Sequence, residues 1–223
     1  MKLADLVMEE PRTTALPEKN LYGQKLGRKG VETRARLLRA TENLLEKRSI
    51  SELTIADIAA AARTSPAAFY VYFEDVNQAI LAAAQTIEQI TPEIKALLSS
   101  PWTTENSKDN ALALVKAYLA LWQEHHAILR IRNLAADEGD KRFEDVRHAA
   151  VEPIHTLLSE RIKEADNGFE PLSGASAVLV LIERVAAVVR LPLRRRHSSR
   201  TQLINSAARL VAHALAPEAS AAD

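Results

Sequence analysis

TIADIAAAARTSPAAFYVYF, residues 54–73, contains two helix starts in close succession. Thr54 stands directly before the apolar positions Ile55, Ile58, Ala59 and Ala62, and Asp57 lies three residues after it, a capping-box arrangement with a shorter acid than usual. Ser65 is followed by Pro66, a residue suited to the first helical position because its missing N–H is not needed there. Two short helices joined by about four residues have the form of a helix-turn-helix, whose second helix can enter a major groove. The second helix has two unlike faces. At about 100° per residue, Phe73 lies about 40° and Pro66 about 60° from Phe69, so both rings point inward. The opposite face shows Ala67 and Val71 between Ala68, Tyr70 and Tyr72. Small side chains allow close approach to base edges, and tyrosine hydroxyls can bond phosphates.

Asp75 with Gln78 repeats the cap signal and opens a long helix expected from Val76 to about Leu98, stopped by Ser99, Ser100 and Pro101. Upstream, Leu37, Leu38, Thr41, Leu44 and Leu45 fall on one face of a first helix running from Thr33 to near Arg48. With that helix before it and an acidic cap and long helix after it, the 54–73 stretch resembles the DNA-binding domain of the TetR family over about residues 30 to 85. The resemblance implies phosphate or base roles for Thr54, Ser65, Ala67, Ala68, Tyr70, Val71 and Tyr72. It also implies a C-terminal domain that dimerises and senses an effector. Three positions depart from the family pattern. Arg63 occupies the turn where glycine is usual and a positive φ is convenient. Ala56 stands where a polar or basic residue is common, and Val76 replaces a lysine that often opens the following helix.

The motif is thus nearly free of cations, but the residues before it are not. Lys19, Lys25, Arg28, Lys29, Arg34, Arg36 and Arg39 crowd one stretch in which Glu32 is the only acid. Although the formal net charge is zero, phosphate attraction is local, fading over roughly 8 to 10 Å. Lys25, Arg28, Lys29 and Arg34 are therefore the expected phosphate contacts, with the arm reaching a neighbouring minor groove. A solvated basic helix face is the alternative.

Composition narrows the remaining classes. The chain has 223 residues, 47% hydrophobic and 26% charged, with 6 Gly, 9 Pro and no Cys, so disulfides and thiolate chemistry are excluded. Residues 1 to 11 carry Asp5, Glu9 and Glu10 and lack the apolar run of a signal peptide. The apolar run Ala175 to Val189 is interrupted by Glu183 and Arg184, and no membrane span is expected. A nucleophile elbow and a phosphate-binding glycine loop are both missing, so an enzyme is the weaker reading.

Beyond residue 100, helices are expected over roughly 106–125, 127–136, 141–165, 174–192 and 199–215. Val178, Ile182, Val185 and Val189 on the fourth of these, with Ile204, Ala207 and Val211 on the fifth, are the expected dimer interface, a purely internal core being the alternative. Tyr118, Trp122, His125, His126, Phe143, His148 and His155 form an aromatic and imidazole set suited to an apolar cavity with polar anchors. Glu183-Arg184 reads either as an interface salt bridge or as a polar group of that cavity. His148, Glu152 and His155 share a helix face, but Pro153 and the lack of a fourth ligand argue against a metal.

The expectation is an all-α protein of about nine helices: a flexible basic arm (1–28), a three-helix DNA-binding domain (29–75), an effector-binding and dimerisation domain (76–216) and a tail (217–223). Its expected partners are a pseudo-palindromic duplex operator, a second copy of itself and a small-molecule effector, with no cofactor, in the cytoplasm. The functional expectation is a repressor that the effector releases, with a protein-controlled or constitutive regulator as the alternative.

Overall fold

The computed structural model describes residues 19–87, 91–190 and 199–217. The first part of the arm, residues 191–198 and most of the tail lie outside them. The described chain is all-α: α1 (Arg28–Leu45), α2 (Ile55–Ala61), α3 (Pro66–Phe69), α4 (Val76–Gln85), α5 (Pro92–Ser99), α6 (Ser107–Asp137), α7 (Lys141–Ala165), α8 (Pro171–Val189) and α9 (Arg200–Leu215), with a 3-10 turn at Ile50–Glu52.

The helix starts follow from side-chain caps. Thr54 accepts from Asp57 N and closes a full capping box, Ser65 accepts from Ala68 N, and Asp75 accepts from Gln78 N. The signal read at Ser65-Pro66 recurs at Thr91-Pro92, where Thr91 Oγ1 accepts from Ile94 N at 3.2 Å. The helix expected from Val76 to Leu98 is therefore two, α4 and α5. α3 is also shorter than expected: its regular turns stop at Phe69, and tighter bonds from Val71 N to Ala68 O (3.3 Å) and Tyr72 N to Phe69 O (2.9 Å) carry the chain to Phe73. A β-branched residue followed by two aromatics has little helix propensity.

α6 is the axis of the molecule, with α1, α4, α5, α7, α8 and α9 all packed against it. The expected break between residues 125 and 127 is a kink within this single helix, where His125 adopts φ −116° and ψ 21°. The carbonyl freed nearby at Gln123 is taken by Arg190 Nη1 at 2.9 Å. Other helix ends are closed the same way: Arg161 donates to Leu98 O, and Asn167 Nδ2 to the carbonyls of His213, Ala214 and Ala216.

One continuous apolar cluster runs from Leu37 to Leu215 through all these helices. It changes the reading of α8 and α9. Val178, Ile182, Val185, Ala207 and Val211 are buried within the protomer, and Val189 and Ile204 are half-buried. The free strip is offset from them and carries Leu172, Val180 and Leu210, at 60%, 68% and 59% exposure. Among the described residues, α8 alone has the length and mean hydropathy (1.9) of a membrane span, but its apolar inner face packs on α6, α7 and α9 as a core helix does.

Candidate nucleic-acid face and effector cleft

The DNA-binding unit is built around Phe69 and Phe73, both buried, with ring centroids 5.4 Å apart. Hiding the two rings turns the rest of α3 outward: Ser65 and Ala67 are exposed, Tyr70 is 48% exposed, and Ala68, Val71 and Tyr72 are half-buried. Thr54 and Ala56 are exposed on α2. The turn between the helices holds Arg63 at φ 54°, the left-handed conformation expected there.

The basic residues divide. Lys25, Arg28 and Lys29 are exposed, and Arg28 is tied only to Glu32 by a surface pair at 3.0 Å. Arg34 is 8% exposed, and its guanidinium lies 5.2 Å from the Phe73 ring centroid. Burial holds its pKa below the usual arginine value. Arg34 is thus a packing residue of α1 rather than the phosphate contact expected from the sequence. Arg36 is similarly occupied, donating to Ala62 O and to Thr33 Oγ1.

The end of the arm is folded. Asn20 Oδ1 accepts from Tyr22 N and Gln24 N, Gly23 takes φ +76°, and Lys19 pairs with Lys25 in an antiparallel bridge. Leu21 N then donates to Val71 O at 3.1 Å. This turn brings exposed Lys19 and Lys25 beside the end of α3, an arrangement hidden in the sequence because it depends on one backbone bond to Val71.

The second site is a cleft of about 770 Å³ between α6, α7 and α8. Of the expected effector residues, only Trp122 and His126 line it. Tyr118 is buried behind it, donating to Glu183 at 3.2 Å, and its pKa is pushed well up by burial and then by the Glu183 charge. Phe143 is core. His148 is exposed, 3.9 Å from Glu144, and His155 contacts Leu172 O and Ser176 Oγ on α8. None of these last three belongs to the cleft. Among the described residues, no group of three or more His, Cys, Asp or Glu could hold a metal.

Glu183, read as either an interface or a cavity charge, is a cleft residue paired inward, 3.5 Å from Arg132. Arg132 is fully buried, and burial lowers its pKa, while Glu183 opposes that shift. The arginines that line the cleft are Arg130, Arg147, Arg184 and Arg190. The sequence reading passed over Arg130, Arg132, Arg147 and Arg190 because a helix pattern shows periodicity, not which neighbouring helix each charge meets.

Two adjacent histidines connect the halves of the molecule. At the α6 kink, His125 Nδ1 lies 2.8 Å from Glu42 Oε1 and His126 Nδ1 2.6 Å from Glu46 Oε1, both acids on the C-terminal part of α1. The partners shift the two rings oppositely. The bond to Glu42 raises the His125 pKa, whereas burial lowers that of His126, with Glu46 opposing and Arg190 and Arg130 adding to the lowering.

The family described as bacterial regulatory proteins, tetR family, matches residues 37–84, and the one described as tetracyclin repressor-like, C-terminal domain, matches residues 94–212. No curated protein matches the sequence. Among solved structures, the fatty acid degradation regulator FadR from Bacillus halodurans is similar, with a TM-score of 0.63 at 13% identity over 84% of this chain and 96% of that one. A protein of unknown function from Rhodococcus sp. RHA1 is similar too, with a TM-score of 0.58 at 19% identity over 82% of this chain and 95% of that one. At these identities the likeness concerns the fold. With a recognition helix that buries its phenylalanines, a C-terminal helical domain around α6 and family matches to both parts, this chain belongs to the TetR family of DNA-binding transcriptional regulators.

Proposed function

We propose that the protein is a homodimeric repressor that leaves its operator when a small molecule occupies the α6–α8 cleft. The observation that carries this reading is the position of His126, which lines the cleft and also meets Glu46 of α1. A ligand touching His126 or its neighbour Arg190 acts next to a contact that fixes α1, and α1 packs directly on α2 of the DNA-binding unit. The effect is a population shift between two placements of α3, and a coupling of about 1 to 3 kcal/mol weakens operator binding about 5- to 150-fold.

DNA contact is assigned to Thr54, Ser65, Ala67, Ala68, Tyr70, Val71 and Tyr72, supported by Lys25, Arg28 and Lys29. Arg34 is left out because it is buried. Small exposed residues serve base edges, and the hydroxyls and cations serve phosphates. Dimerisation is assigned to the offset strip of α8 and α9 with Leu172 and Leu210, and cytoplasmic location follows from the operator as partner.

The experiment is operator binding by fluorescence anisotropy while a library of small molecules is titrated against wild type and His126→Ala. A ligand that weakens wild-type binding and has a reduced effect on the variant supports the reading. If every cleft-binding ligand leaves operator affinity unchanged, the release mechanism is wrong.

A further inference from the structure

The charges of the cleft do not balance. Its lining carries two carboxylates, Asp137 and Glu183, and each already has a cation. Asp137 Oδ1 accepts from Arg147 Nη1 at 2.5 Å, and Glu183 lies against buried Arg132 and the Tyr118 hydroxyl. That leaves Arg130, Arg184 and Arg190 on the same concave surface. Arg130 and Arg184 are exposed and have no carboxylate partner among the described residues. Arg190 is bound through Nη1 to Gln123 O, a neutral acceptor that leaves its charge uncompensated. Three guanidinium groups on one concave surface make it locally positive, and an anion there forms charge-assisted hydrogen bonds.

The rest of the lining is of a different kind. Trp122, Leu134, Val180, Ala186 and Ala187 form an apolar wall. The Trp122 indole is 4% exposed and bonds to the Tyr118 hydroxyl behind it.

We propose that the cleft is a site for an amphipathic anion, whose apolar body lies on Trp122, Leu134 and Val180 and whose carboxylate or phosphate head is held by Arg130, Arg184 and Arg190. The proposal rests on the reading of this cleft as the effector site and adds the chemical class of the effector. The head group lies near His126, whose proton affinity is lowered in part by Arg130 and Arg190. Neutralising those arginines lifts that part of the shift and strengthens the charged pair with Glu46, so the anion has a direct route to α1.

The test uses full-length protein with three probes of equal chain length: octanoate, octyl phosphate and octan-1-ol. Binding is followed by calorimetry, and operator affinity is measured in parallel. At least one anion binds, and octan-1-ol binds about ten-fold more weakly or less. Preference for octyl phosphate or octanoate identifies the head group, and either supports the proposal. Arg130→Gln with Arg184→Gln, at two exposed positions where folding is not at stake, abolishes the preference for the anion. Equal binding of octan-1-ol, no binding of any probe, or an unchanged preference in the double variant overturns it. The two readings separate cleanly. Selective anion binding that leaves operator affinity unchanged refutes the effector reading and keeps the anion site. Operator release by octan-1-ol as strong as by the anions does the reverse.

Discussion

Arg63 shows how far single residues could be read in advance. The helix-turn-helix spacing requires a left-handed residue between α2 and α3, and the chain supplies arginine at φ 54°. A non-glycine residue there costs about 1 to 2 kcal/mol, offset in part by the greater freedom glycine has when unfolded. Arg63→Gly is therefore expected to stabilise the protein by up to about 1 kcal/mol, read as a higher urea midpoint at unchanged slope. Phe69→Ala acts in the opposite direction, because it removes a fully buried ring and leaves a cavity beside Phe73. The expected loss is about 3 to 5 kcal/mol, measured by the same unfolding curve. Caps such as Thr54, Ser65 and Asp75 were legible because cap and partner lie within three residues. Arg34 and Arg132 were not, since the ring over which one stacks and the acid that meets the other come from distant segments. A basic residue in a basic stretch gives no local sign that it is buried.

At the level of elements, the kink of α6 joins the two functions, and its histidines respond to pH with opposite signs. His125 has a raised pKa in the fold, through its bond to Glu42. Its stabilisation is complete below the ordinary histidine value of about 6.5 and is lost as pH rises through the raised value. Glu42→Gln should lower the melting temperature most below about pH 6.5 and leave it unchanged at alkaline pH. His126 has a lowered pKa, chiefly from burial. Its contribution is present above about 6.5 and is lost as pH falls through the lowered value. His126→Gln removes the titrating ring, and it should flatten the acid side of the melting-temperature profile. A profile identical to wild type for both variants would remove the histidines from any coupling role. The kink itself was legible as a break between residues 125 and 127. Its connection to α1 was not, because no pattern within α6 shows that Glu42 and Glu46 face it. The break at Thr91-Pro92 was legible by the same rule that found α3, and the apolar run on either side of it obscured the signal.

At the scale of the whole molecule, α8 and α9 were recognised as the helices with apolar surface to spare, but the strip assigned to the mate is the protomer's own core. A helix apolar nearly all round does not reveal which side its own neighbours cover. Val178 and Ile182 are packed against the rest of the protomer, while Leu172 and Leu210 remain free. Placing a carboxylate on that free strip should separate the protomers. Leu172→Glu with Leu210→Glu is expected to sediment as a monomer and to lose affinity for a two-half-site operator, while keeping its helical circular dichroism. A variant that remains dimeric would place the interface elsewhere.

Regulation depends most on α3 reading a duplex with its small outward face. Selection from random duplexes, followed by anisotropy on the enriched site, tests this directly. A pseudo-palindrome with half-sites one helical turn, about 34 to 36 Å, or a multiple of it apart is predicted. Ala67→Glu, at an exposed position that disturbs no core contact, should weaken binding by about two orders of magnitude, the cost of roughly 3 kcal/mol for a carboxylate facing a polyanion. Enrichment of no sequence, or equal affinity of wild type and Ala67→Glu for the enriched site, would contradict the account.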